Sequence, residues 1–138
     1  MIDLNDVLTA LYSRLSLVGG DPVHKVSRPR NDDGSLVANP CYTYNILSLP
    51  PGEYCDIYHG TIIICAFADN FSNGAPDVAK LTSMIKIAAD ELHRKPLTGS
   101  GFHVYSQYIQ APSGVLFDAQ HPDEHYMSLR IKINLREE

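Results

Sequence analysis

Five residues near the C-terminus, His121-Pro122-Asp123-Glu124-His125, place two imidazoles around a carboxylate in the order H-x-x-E-H. On a helix that order can hold a zinc ion and leave the glutamate to activate a bound water for hydrolysis. The chemistry depends on the helix, because only helical spacing stacks His121 and His125 one turn apart, at roughly 5–6 Å between Cβ atoms. The residues that follow argue against it. Across residues 126–136, Met127, Leu129, Ile131, Ile133 and Leu135 alternate with Ser128, Arg130, Lys132, Asn134 and Arg136, which is the period of a strand. In an extended chain the two histidines stand roughly 13 Å apart, at about 3.3 Å per residue, and cannot share an ion. The motif therefore reads as a polar turn feeding a strand, with no metal site and no catalytic residue expected. A small zinc-dependent hydrolase built on His121, Glu124 and His125 is the competing reading.

Other reactive combinations fare no better. Cys55 and His59 would share one face of a strand but again stand roughly 13 Å apart, too far for a thiolate–imidazole pair. Cys65 lies in the most apolar run and reads as core, while Cys41 follows Pro40 at a strand start. Three cysteines in apolar or strand-like surroundings read as free thiols rather than a disulfide framework. The sequence has no G-x-S-x-G elbow, P-loop or G-x-G-x-x-G, so no cofactor is expected. A basic group of His24, Lys25, Arg28 and Arg30 could meet a phosphate or an acidic neighbour, but Asp32 and Asp33 follow at once and cancel much of its field. The tyrosines, eight in all, suit either a subunit interface or packed sheet positions.

The elements that must position these residues follow from periodicity. Residues 3–17 carry Leu4, Val7, Leu8, Leu11 and Leu15 at helical spacing, with Asp3 as N-cap and Gly19 as a stop. Residues 19–40, rich in Pro, Gly and charge, read as a long projecting loop, the kind that is either functional or disordered. Residues 41–49 and 54–68 then form a hairpin, and the second strand, apolar on both faces over residues 61–68, reads as central and covered on both sides. After a loop over residues 69–75 containing Asn70 and Phe71, a helix is expected from Pro76, at its first turn, to about residue 94, with Val78, Leu81, Ile85, Ala88 and Leu92 as its stripe. Strand character returns at residues 102–111, in a short piece at 115–117, and in the final alternating segment. The expectation is a single α+β domain over residues 1–138: a mainly antiparallel sheet of about four to five strands with two helices packed on one face.

Composition narrows the function. The chain of 138 residues has a formal charge of −5, which leaves no large basic surface for gripping nucleic acid. Its longest apolar run, seven residues, falls far short of the roughly 20 that span a bilayer as a helix, so no membrane partner is expected. The first residues, Met1-Ile2-Asp3-Leu4-Asn5-Asp6, lack the basic and apolar regions of a signal peptide, so synthesis in the cytoplasm is expected.

The order of blocks resembles that of the tail terminator, or tail completion, proteins of long-tailed bacteriophages and related prophages, which join head to tail. The blocks are the opening helix IDLNDVLTALYSRLSLVGG, the loop ending NPCYTYNIL, YCDIYHGTIIICAFAD with the helix PDVAKLTSMIKIAADELHRKPL, and the final HYMSLRIKINLRE. The resemblance implies a non-enzymatic virion structural protein that forms a hexameric ring, caps the tail tube and meets the head-side connector. It places the protein in the host cytoplasm during assembly and in the tail or neck of the virion afterwards, with DNA only as passing cargo. A head-closure or neck adaptor of the same assembly is the alternative. On this reading Lys25, Arg28, Arg30, Asn70, Phe71, His121 and His125 are the candidate contacts to neighbouring subunits or partners.

Overall fold

The computed structural model describes residues 2–16, 20–50, 52 and 56–138. The elements in chain order are α1 (Leu4–Leu15), β1 (Val23–Lys25), β2 (Cys41–Ser48), β3 (Ile57–Asp69), α2 (Val78–Leu92), β4 (Phe102–Ile109), β5 (Leu116–Phe117) and β6 (Glu124–Glu137). One sheet of six strands runs β1-β2-β3-β6-β4, with β5 also on β6. Among the described residues only the β1–β2 pairing is parallel. The α+β class and antiparallel character are as expected, but the strand count is six rather than four to five. The additional strand is β1, which lies inside the segment read as loop.

Alternation makes the core. The sheet face under the helices collects Ile62, Ile64, Ala66 and Ala68 from β3 with Met127, Leu129, Ile131, Ile133 and Leu135 from β6. Against them α1 buries Val7, Leu8, Leu11 and Leu15, and α2 buries Leu81, Met84, Ile85, Ala88 and Leu92. Each buried Val, Leu, Ile or Met among them contributes on the order of 1.5–3 kcal/mol of burial free energy. β3 is central, as expected, and pairs with β6 without interruption from Ile57↔Arg136 to Asp69↔Glu124. Gly60 makes a close approach within it, since a Cβ there would stand 2.6 Å from Leu49 Cδ1, 3.0 Å from Ile133 Cγ2 and 3.2 Å from the Ser48 carbonyl oxygen. The Tyr42 hydroxyl crosses the core to donate to the Met84 carbonyl at 2.9 Å, tying sheet to helix.

The caps agree closely with the sequence. Asp3 accepts from Asn5 N–H at 2.8 Å at the start of α1, whose predicted stop, Gly19, lies outside the described residues. Helix α2 is capped by Asp77, which accepts from Lys80 N–H at 3.1 Å, so Pro76 precedes the cap instead of occupying the first turn. Val78, expected in the apolar stripe, is exposed, and Met84 is buried instead. Tyr54, the expected start of the second hairpin strand, and Cys55, with its proposed relation to His59, lie outside the described residues.

The opposite face of the sheet differs from expectation. It presents His59, Thr61, Ile63, Cys65 and Phe67 from β3 opposite Asn134, Lys132, Arg130, Ser128 and Tyr126 from β6. Helices cover only the other face, and here Ile63 and Cys65 remain half-buried. At one end residues 26–40 fold back over Phe67 and cover it. Within the segment read as a projecting loop, residues 23–25 form β1 and Arg28, Leu36 and Asn39 line the clefts on the open face, while residues 31–35 stay exposed.

Candidate functional site

The site grows from the turn that ends β1. Ser27 N–H closes back on the Lys25 carbonyl at 2.8 Å, with Val26 at φ 68°, a conformation that a β-branched residue adopts only under strain. The reversal throws Arg28 inward across the open sheet face. Its guanidinium lies 4.2 Å from the centroid of Phe67, whose ring stacks on Tyr126 at 5.6 Å. It also forms a two-pronged ion pair with Glu124, Nη1 donating to Oε2 at 2.7 Å and Nη2 to Oε1. The two side chains are only 7% and 8% exposed, so the pair is desolvated. Asn39, which precedes a cis peptide to Pro40, completes the arrangement. Its Nδ2 donates to Glu124 Oε2 at 2.5 Å and to Asp69 Oδ1 at 2.9 Å, and its Oδ1 accepts from Arg28 Nη1 at 3.3 Å.

Below this latch the 118–123 turn leads into β6 at Glu124. His121 Nδ1 and Asp118 Oδ2 are 2.9 Å apart, and that hydrogen bond holds the Asp118 carboxyl below its ordinary value. Two clefts flank Arg28. One, of about 390 Å³, is bounded by Arg28, Arg30, Asn39, His121 and Glu124; the other, of about 550 Å³, by Arg28, Thr43, Cys65, Phe67 and Tyr126. Beside the latch, burial pushes the Cys41 thiol up to about 11 and raises that of Cys65. Burial and the Arg28 charge lower the pKa of His24.

Of the residues singled out by sequence, Arg28, Arg30 and His121 border one cleft. Asn70 and His125 meet a short distance away, with His125 Nδ1 2.6 Å from Asn70 Oδ1 and its ring 5.4 Å from Phe117. Asn70 also donates to the Pro122 carbonyl at 3.1 Å, and Phe71 beside it is 55% exposed. Lys25 stands apart, bonded to Asn5 of α1. Glu124, weighed only as a zinc-motif member, is the carboxylate that fixes Arg28; Asn39 and Phe67 were not anticipated. A buried acid at a strand start facing a lone arginine was the available signal, but 96 positions separate the two.

Donor atoms of Asp118, His121 and Glu124 lie within 4.8 Å of one another, close enough for three ligands of a cation. Both Glu124 oxygens already accept from Arg28, so an ion there would have to share the carboxylate with a guanidinium and sit against its charge. Chemically the arrangement is a charge-assisted clasp that fastens a chain segment to a sheet.

No protein family matches the chain, and no curated protein sequence does either. Its fold does have a match among solved structures. A chain in the virion of a native gene transfer agent particle superposes with a TM-score of 0.72 at 12% identity, over 96% of both chains. The two chains share a fold from end to end. None of the helices among the described residues is long and apolar enough to cross a membrane.

Proposed function

We infer that this protein is a structural component of a phage-like virion, acting as a tail terminator: a hexameric ring that caps the tail tube and meets the head-side connector. The observation that carries the reading is the near-complete overlap with a virion chain, 96% of each. The site supports it, since a buried arginine–glutamate clasp orders a surface segment for contact instead of exposing a reactive group. In this role Arg30, Asn70, Phe71 and His121 contact neighbours, Arg28 shapes the contacting segment from within, and DNA passes through the ring without being held. A head-closure adaptor would use the same fold, and tail-tube binding separates the two. The test is electron microscopy and native mass spectrometry of the purified protein, alone and with tail tube protein. Six-fold rings seated on tube ends are expected; a protein that stays monomeric in both samples overturns the reading.

A further inference from the structure

Away from the clasp, the strand positions of the open sheet face carry cations. They present Arg130, Lys132 and Arg136 from β6, with no carboxylate at the intervening strand positions, although the chain as a whole stands at −5. Lys132 Nζ donates to Thr61 Oγ1 at 3.0 Å, and Arg136 Nε reaches Asp56 at 3.3 Å. Arg130 is exposed and has no carboxylate partner among the described residues. Its cross-strand neighbour is the half-buried Ile63, and Tyr108, 47% exposed, lies opposite Lys132. Arginine and tyrosine set among aliphatic side chains make the composition of a protein interface. A duplex-binding surface would neutralise about 6–10 phosphates, more than these cations can reach.

The complementary charge lies on the same chain. Residues 31–35 form an exposed tip, closed by Asn31 N–H on the Ser35 carbonyl at 2.7 Å and Gly34 N–H on the Asn31 carbonyl at 2.9 Å. Asp33 is used internally, accepting from Ser35 N–H at 2.9 Å and Ser35 Oγ at 2.5 Å. Asp32 has no partner among the described residues, so the tip offers one unspent carboxylate on a fixed frame, beside Arg30.

We propose that the Asp32 tip of one copy docks on the Arg130 face of the next copy. Such a contact joins two different patches, so it is head-to-tail and propagates until it closes, which is how a ring forms; a self-complementary patch would stop at a dimer. The proposal rests on the ring reading above and supplies its subunit contact. Arg130→Glu and Asp32→Arg test it, because neither side chain has a partner whose loss would disturb the fold. In sedimentation velocity at low salt each single reversal should weaken self-association about tenfold or more, and the double reversal should restore it to within about threefold. High salt should weaken the wild-type contact. Rings that persist unchanged in both single variants overturn this contact while leaving the ring reading intact. Open oligomers that respond to the reversals uphold the contact and overturn the ring. A wild-type protein that is monomeric at all concentrations, with or without tail tube protein, overturns both.

Discussion

Replacing Arg28 with methionine removes the charge while keeping much of the side-chain volume over Phe67. Glu124 then keeps only Asn39 as a donor, in a site where its side chain is 8% exposed. Removing one member of a buried pair typically costs 3–5 kcal/mol, because the other charge is left desolvated. The cleft that Glu124 helps to bound lets water reach it, which favours the lower end, about 3 kcal/mol. For a domain of 138 residues the unfolding entropy is about 0.3 kcal/mol/K, so the melting temperature should fall by about 10 °C. If the segment over residues 26–40 is itself held by less than this, it detaches first, and the loss appears as faster hydrogen exchange there, for example at Val37 N–H, which donates to the Pro29 carbonyl. Combining Arg28→Met with Glu124→Leu should recover most of the loss, since matched apolar groups need no charge partner. Urea unfolding and hydrogen exchange measure both effects. Unchanged stability with unchanged exchange across residues 29–38, or a double variant that loses the sum of the singles, would refute the clasp.

Three further outcomes follow from individual contacts. Gln107→Leu should cost about 2–4 kcal/mol in urea unfolding, because the Gln107 side chain satisfies the Leu92 and Lys95 carbonyls and Leu97 N–H at the end of α2. Val26→Gly should raise stability by about 1 kcal/mol by relieving a positive φ, and a loss instead would mean that the Val26 side chain does more than mark the turn. Burial lifts Cys41 from 9.0 to about 11 and Tyr42 from 10.0 to about 12, so the unfolded chain loses these protons first. Stability should therefore be intact below pH 9 and decline as pH rises through about 11 to 12, and Cys41 should resist alkylation at pH 8 in the native protein but not in denaturant, as read by peptide mass spectrometry.

Where one face of an element is buried along its whole length, the sequence carries that fact as a period. This is why β6 and α1 could be read directly, down to the Asp3 cap. Short elements held by neighbours have no period to show: β1 is three residues, Val-His-Lys, and exists because β2 offers it a parallel edge. Gln107 illustrates a different loss. Phe102 and Val104 point into the core, and simple alternation would keep only even positions there, but the register shifts between Val104 and Ser106 and turns Gln107 inward. The clasp was hidden for the same reason as most tertiary contacts, since no local pattern links Arg28 to a carboxylate near the other end of the chain.

The sheet itself decides what becomes of H-x-x-E-H. Glu124 and His125 are consecutive residues of β6, so their side chains leave on opposite faces: Glu124 toward Arg28, His125 toward Asn70. No rotamer change brings them back onto one ion. What survives is a different triad, Asp118, His121 and Glu124, whose donors converge but whose strongest member is already neutralised. A zinc ion would have to share Glu124 with a guanidinium that is bonded through two nitrogens and packed on an aromatic ring, and would sit against its positive charge, so the wild-type protein should bind zinc weakly in titration calorimetry. Arg28→Met frees Glu124 Oε1, leaves Oε2 accepting only from Asn39, and should bind it more tightly. Tight stoichiometric binding by the wild type, abolished in His121→Ala, would mean that the metal outcompetes the clasp and would return the hydrolase reading to contention. Equal, weak binding by both proteins would instead mean that the three donors converge too loosely to make a site even when free.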